Sequence, residues 1–352
     1  MHHVNGLVQR YAWGHPTAIA DLVGTEADGR PQAEMWFGTH PGGPSVLDDG
    51  GPLESLVGPL PFLFKVLAAE TPLSLQVHPS REQAIAGFDR EEDAGIRIDS
   101  PRRNYRDRMH TPELMYALTP FEAVCGVAPL EQTDALLGDL GSSAASLRSI
   151  LAHGGVNAAI GLLLHDRPDL SDLVRAAAAH HDPRCRWLAT LADMYPGDAS
   201  AAIVLLLNYV RMQPGEAIFL GAGNIHAYLR GTGLEVMASS DNVLRCGLTQ
   251  KYVDVDEVLR ILDDSPLADP FVHPVAQPDG GLSYPVPVDD FRIARYDVDG
   301  TARWIAHGPE LVFCTEGETD GIRRGECTAL LGGEHAILTG TATVFRIGGA
   351  AA

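Results

Sequence analysis

Most of this chain is written in short apolar segments cut by glycine and proline, a punctuation that suits many short strands and leaves little room for long helices. From residue 1 to 128 the segments AEMWFGTHPGGPSVL, PFLFKVLAA, TPLSLQVHP and ELMYALTPFEAVCGV follow one another in this style. The style returns in EAIFLGAGNIHAYLRGTGLEVMAS (216–239) and again in RWIAHGPELVFCTEG and TATVFRIGG. Between them the composition changes: SSAASLRSILAHGG and DLSDLVRAAAAHHD are rich in Ala and Leu and poor in β-branched residues, which favours helices. At 352 residues the chain also exceeds what one hydrophobic core usually holds. The expected fold is mainly β, two barrel units plus an α-helical subdomain inserted in the first. Its parts are residues 1–128, a helical insertion at 129–197, a return to the first barrel at 198–264 and a C-terminal β domain at 265–352.

Within that frame Ser142 or Ser143, Asp169 and Asp198 stand where helices need N-caps. VDVDEVLRILDD (253–264) reads as an amphipathic helix with Val255, Val258, Leu259 and Leu262 on one face. PGDASAAIVLLLNYVRMQPG (196–215) reads as a buried helix ending before Pro214, and the polar interval 88–110 as a long exposed loop. The closing GGAAA is expected to fray.

The stretch LSLQVHPS (73–80) is patterned like a buried strand yet carries two polar side chains. Strand residues alternate faces, so Gln76 and His78 point one way while Leu75 and Val77 point the other. If their face lines the inside of a barrel, each needs a partner, because an unsatisfied buried amide or imidazole costs about 1–3 kcal/mol. A metal ion is one such partner.

Composition narrows the partners. A formal net charge of −20 disfavours nucleic acid and anionic membranes, but a few convergent cations in a pocket can still hold a small anion. Of 26 basic residues only two are lysine, Lys65 and Lys251, so a chain that otherwise uses arginine has a use for an ammonium at these places. Five cysteines without a CxxC pair read as reduced thiols of a cytosolic protein. The N-terminus lacks the apolar core of a signal peptide. The longest apolar run, AAIVLLLNYV, is half of the ~20 residues a membrane helix needs. A soluble, cytoplasmic protein is expected.

Three places offer metal ligands in strand-like context: Gln76 with His78, Glu113 in HTPEL, and His226 in GNIHAY. Two imidazoles, a carboxylate and an amide oxygen suit a borderline ion such as zinc, although the two histidines and carboxylate alone also fit non-haem iron. The chain has 14 histidines, and a lone one is more often a satisfied core or surface residue than a ligand.

The blocks QRYAWG, AEMWFGTHPGGPS, PFLFKVLAAETPLSLQVHPS, HTPELMYALTPFEAVCG, PGEAIFLGAGNIHAYLRG and LEVMASSDNVLRCGLTQKYVDV resemble the signature blocks of the type I mannose-6-phosphate isomerases, zinc enzymes of the cupin, jelly-roll fold. They occur in the family's order. The resemblance implies one Zn2+ per chain on Gln76, His78, Glu113 and His226, a small sugar phosphate as partner, and a monomer. It places Arg245 at the reacting end of the sugar, with Asp241 and Glu235 in the same block, Tyr228 beside the histidine ligand and Trp13 at the pocket rim. Ser74, Lys65 and Lys251 are the residues for the phosphate end. One departure stands out: the family usually carries lysine just before the Pro-Glu of the third block, where this chain has Thr111. The proton-transfer base is then Glu235, Asp241, His110 or a metal-bound hydroxide. No paired histidine motif follows residue 270, so the last β unit is expected to bind no metal.

The activity implied is interconversion of mannose 6-phosphate and fructose 6-phosphate through a cis-enediol, serving either mannose catabolism or GDP-mannose supply. The alternatives are a cupin that binds sugar phosphate without turnover, and a cupin metalloenzyme with oxygenase or epimerase chemistry on another sugar.

Overall fold

The computed structural model describes residues 1–349 and organises the strands into two antiparallel sheets. The first runs, in spatial order, through Phe271–Val272, Ala217–Leu220, Glu113–Ala117, His226–Ala238, Phe62–Ala69, Glu34–Gly38 and Leu7–Gln9. Leu75–Val77, Leu244–Gly247, Phe121–Val127 and Leu207–Met212 join it through the N-terminal half of His226–Ala238. The second sheet runs Val275–Ala276, Leu282–Ser283, Arg292–Ile305, His335–Gly348, Glu310–Thr319, Cys327–Leu330, His2–Asn5 and Val46–Leu47. Of the first fifty residues, His2–Asn5 therefore pairs with Cys327–Leu330 of the C-terminal β unit, and Val46–Leu47 joins that sheet by pairing with His2–Asn5. Alternation in sequence says which face of a strand is buried but not which strand lies beside it.

The strand His226–Ala238 organises the site. Its start pairs with Gln76 and Cys125, while Gly231–Ala238 pairs with Phe62–Ala69 and Gly233–Met237 with Glu113–Ala117. A regular strand would put Tyr228 and Glu235 on opposite faces, because seven residues separate them. The register against Phe121–Val127 skips one residue between Tyr228 and Arg230, and this bulge brings both side chains to the same cavity.

The insertion folds as Leu130–Asp139, Ala145–Gly161, Ser171–Ala178 and Pro183–Met194, helices sharing one core with the strands behind the site. Asp182, which sequence reasoning passed over, caps the last of these by accepting from Arg184 N at 2.8 Å, with proline in the first turn. Asp198 caps Ala199–Leu206, accepting from Ser200 N at 3.0 Å, whereas Asp169 accepts from Ser171 N at 2.9 Å one residue ahead of Leu170, which holds the N-cap position without a side-chain cap. Neither Ser142 nor Ser143 caps; the Ser143 hydroxyl donates back to Leu140 O. The helical stretch Gly141–Asp166 is long and apolar enough to cross a membrane by composition, yet it breaks at Gly155 and its Leu147, Leu151, Val156 and Ile160 pack into this core.

Two local expectations are corrected. Residues 196–215 are not one helix: a fully buried 3₁₀ segment, Ala199–Leu206, gives way to the strand Leu207–Met212. An apolar run buried on every side carries no periodicity to separate helix from strand. The strand wins because Phe121–Val127 offers it a ladder and Asn208 Nδ2 ties it to the carbonyls of Cys125, Val127 and Leu267. Nor is the interval 88–110 simply an exposed loop. The helix Arg81–Asp93, opened by a Ser80–Gln83 capping box, covers its start. Beyond it Arg103 and Tyr105 are buried, the Arg103 guanidinium bonded to Tyr105 O and Glu92 and the Tyr105 hydroxyl to Glu257. The helix Val255–Ile261 buries Val258, and Leu262 just past its end, as its pattern requires, leaves Val255 and Leu259 half-buried, and also buries Ile261, which the pattern did not include. Residues 350–352, the closing Ala run, lie outside the described residues.

Candidate metal centre and substrate cavity

His78, Glu113 and His226 are buried and bring one ligand atom each to within 4.8 Å of the others. His78 Nε2 lies 3.1 Å from Glu113 Oε1, and His226 Nε2 lies 3.5 Å from Glu113 Oε2. Each imidazole is oriented from behind: His78 Nδ1 sits 2.9 Å from Asn242 O, and His226 Nδ1 sits 2.9 Å from Asn224 O. A carbonyl only accepts, so both Nδ1 atoms carry a proton and both Nε2 atoms face inward, each able to offer its lone pair to a cation once neutral. His78 Nε2 is fully buried and has no aligned hydrogen-bond partner despite its closeness to Glu113. Burial works against charge on Glu113, but the two histidines outweigh it and hold the carboxyl well below the usual range, so an anionic oxygen is available. The Gln76 amide completes the group, its nitrogen 3.2 Å from His226 Nε2. Side chains on Tyr228 and Glu113 are linked by a 3.4 Å hydrogen bond from the hydroxyl to Oε2. An orphaned imidazole nitrogen facing an ionised carboxylate and a second imidazole is a donor set that fits a borderline divalent cation.

Beside this centre lies a cavity of about 480 Å³, walled by Gln76, Glu113, Glu235, Lys65, Ser74, Asp241, Arg245, Lys251 and the aromatic residues Tyr11, Trp13, Trp36 and Tyr228. That is ample for a phosphorylated hexose. Trp13 stacks on Tyr11 at its wall, ring centroids 5.7 Å apart. Asp241 is half-exposed and faces His40 Nε2 at 3.5 Å.

Lys65 is the main reassignment. It is fully buried, with its ammonium 2.6 Å from Glu235 and 3.8 Å from Glu34, under the Trp36 ring. An ammonium neutralised by two carboxylates is poorly placed to hold a phosphate; Lys65 stands with Glu34, Glu113 and Glu235 at the carboxylate-rich end of the cavity. The local balance leaves three carboxylates, Glu34, Glu113 and Glu235, around one lysine. Burial and its acidic neighbours push the Glu235 carboxyl up to about 7, with Lys65 offsetting part of the effect. Glu34, whose Oε2 accepts from Trp36 Nε1 at 2.8 Å, went unnoticed in the sequence. The signal was there: Glu34 and Trp36 are two apart on a strand, the same alternation that exposed Gln76 and His78.

The other end of the cavity is cationic. Lys251 faces it, with Arg245, which pairs with Gln76 in the strand register, on the side towards the metal centre, and among the described residues neither has a carboxylate within ion-pair distance. Burial holds the Arg245 guanidinium below its usual value, with Arg106 adding to the effect; Lys251 is depressed chiefly by Arg245.

A curated mannose-6-phosphate isomerase of Escherichia coli is 35% identical to this chain over 374 residues, covering 97% of this chain and 95% of its own. The chain belongs to the type I mannose-6-phosphate isomerase family. A sequence model of the phosphomannose isomerase type I catalytic domain matches residues 1–57 and 53–130, and the human mannose-6-phosphate isomerase is 34% identical over 84% of this chain and 81% of its own. Among solved structures, a phosphomannose isomerase variant from Salmonella typhimurium superposes with a TM-score of 0.91 at 33% identity, and a zinc-bound mannose 6-phosphate isomerase with 0.89 at 32%, each covering 99% of both chains. The mainly-β architecture with its helical insertion is thus that of the isomerase family.

Two positions of this isomerase sequence sit differently from the expectation drawn from the motifs. His110 is outside the residues that wall the cavity, and its Nε2, the atom a base would use, is engaged 2.7 Å from Asp290 Oδ2 of the C-terminal β unit. Thr111 is buried, its hydroxyl donating to the Asn242 carbonyl at 3.2 Å, beside the bond that orients His78. No cation stands there.

Proposed function

We propose that this chain interconverts mannose 6-phosphate and fructose 6-phosphate with one zinc ion held by Gln76, His78, Glu113 and His226. The observation that carries the reading is the buried, unsatisfied His78 Nε2 aimed at Glu113 and clustered with His226, where Glu113 and Gln76 form part of the wall of a cavity whose far end is cationic. Zinc, when bound, supplies a Lewis acid for the carbonyl and hydroxyl oxygens at C1 and C2 of the opened sugar.

The remaining work falls to the chain's own groups. Proton transfer between C2 and C1 through a cis-enediol needs a base on one face of the sugar. Glu235 suits it: a buried carboxyl near pH 7 is ionised often enough to take a proton and basic enough to hold one. Lys65, bonded to Glu235 at 2.6 Å, fixes its direction. Arg245 places positive charge where the enediol oxygens become negative. Tyr228 holds the Glu113 carboxylate, and Asp241 and Trp13 orient the sugar from the rim. Lys251 and Ser74 receive the phosphate, so that binding energy spent far from C1 and C2 orients the reacting atoms. The five cysteines are all buried and free, as a reducing compartment would leave them, and we assign the enzyme to the cytoplasm as a monomer in sugar-phosphate metabolism.

The test is a coupled assay for fructose 6-phosphate formed from mannose 6-phosphate before and after chelation, with zinc added back. Activity lost and then restored supports the reading; zinc-replete protein with no activity removes it. In the same assay Lys251→Ala raises KM about tenfold or more, the loss of one charge-assisted phosphate contact, with kcat changed little. An unchanged KM would place the phosphate elsewhere.

A further inference from the structure

We propose that Arg106 is a substrate-contacting residue that joins Lys251 in holding the phosphate of the sugar phosphate, with Arg245 between them and the metal centre; this rests on the isomerase reading above. The segment carrying Arg106 is pinned to both segments that supply the cavity's cations. Its backbone N–H donates to Asn242 Oδ1 at 2.7 Å, three residues before Arg245, and Asn104 Nδ2 donates to Asp254 Oδ2 at 2.9 Å, three residues after Lys251. Asn242 is fully buried and further gripped by the Asp107 and Met109 carbonyls, at 2.9 and 2.7 Å, so this placement is rigid.

The Arg106 side chain, by contrast, is exposed and uncommitted. Its one polar contact among the described residues is to Ile98 O at 3.5 Å, at the limit of a hydrogen bond. The acids nearest along the chain are already engaged. Asp107 accepts from Ser240 Oγ, Met109 N and Asn242 Nδ2, while Asp99, which senses Arg106, is held by Arg97 at 2.8 Å. In a chain of net charge −20, three cations brought together without a carboxylate partner are unusual. Arg106 lowers the proton affinity of both Arg245 and Lys251, which places its charge within electrostatic reach of each. Such crowding is unfavourable until an anion arrives, and a phosphate dianion presents oxygens for Arg106 and Lys251 to share, while Arg245, opposite Gln76 in the strand register, stays on the metal side.

The experiment compares Arg106→Ala, Arg106→Lys and, as a control for loss of one nearby charge, Arg102→Ala, whose guanidinium lies over the exposed Tyr252 ring. Zinc-loaded proteins are titrated calorimetrically with inorganic phosphate and assayed with mannose 6-phosphate. Arg106→Ala is expected to weaken phosphate binding and raise KM about tenfold, with kcat within about twofold; the lysine variant recovers most of the loss, and Arg102→Ala behaves like the unaltered protein. Unchanged phosphate affinity in Arg106→Ala, or an equal loss in Arg102→Ala, overturns the proposal. If the unaltered protein binds phosphate but forms no fructose 6-phosphate, the isomerase reading fails and the titration still decides the role of Arg106.

Discussion

Replacing His226 with alanine should abolish turnover and lower the zinc that co-purifies with the protein. The imidazole is buried, its Nδ1 is committed to Asn224 O, and its Nε2 is one of the three atoms that converge within 4.8 Å. Alanine leaves Gln76, His78 and Glu113, one ligand short of a closed set, and removes one of the two histidines that keep Glu113 ionised. Losing several kcal/mol of Lewis-acid stabilisation corresponds to a fall in kcat of about 10³-fold or more. Atomic absorption on protein purified without added metal, alongside the coupled assay, checks both halves. Full zinc content with lost activity would make His226 a substrate contact; full activity with no zinc would end the metal assignment.

Glu235→Gln should lower kcat by about 10²–10⁴-fold, the span general-base removal usually covers, while leaving KM near its original value. Glutamine resembles the protonated carboxyl, a form that the cavity already tolerates because burial and Glu113 and Glu34 push Glu235 up to about 7. The pH profile carries the sign. A base works only when ionised, so kcat/KM of the unaltered enzyme rises with pH through an acid limb. A bound dication adds positive charge nearby and lowers the carboxyl, so that limb falls at or below about pH 7 in the loaded enzyme. In the glutamine variant the limb disappears. If kcat survives the substitution, Asp241, which also lines the cavity wall, inherits the role. A thermal melt belongs beside the kinetics, because the change removes one of Lys65's two carboxylate partners, and breaking a buried ion pair can cost about 3–5 kcal/mol.

The chemistry of the centre was legible because strand alternation is a local rule. Two polar residues two apart in an apolar strand, Gln76 and His78, announce a lined interior before any partner is known. The same rule applied to Glu34 and Trp36 would have revealed the second carboxylate of the Lys65 cluster. The change from Gly- and Pro-cut segments to Ala- and Leu-rich text marked the helical insertion for an equally local reason, since propensity acts residue by residue.

Pairing across the fold was a different matter. Lys65 looked like a phosphate ligand because lysine is scarce here; only the register that sets it opposite Glu235, 170 residues away, shows its charge neutralised among carboxylates. His110 looked like a base until the C-terminal unit brought Asp290 to it. The bulge after Tyr228 leaves no mark in composition, yet it decides that Tyr228 and Glu235 share one cavity. By itself the sequence determined which faces are polar, where the helices interrupt the strands and which ligand types are available, because these depend on neighbours along the chain. Which charges end up neutralised and which stay free for an anion was decided by tertiary structure alone, because electrostatics acts through space and falls off with distance whatever the separation in sequence.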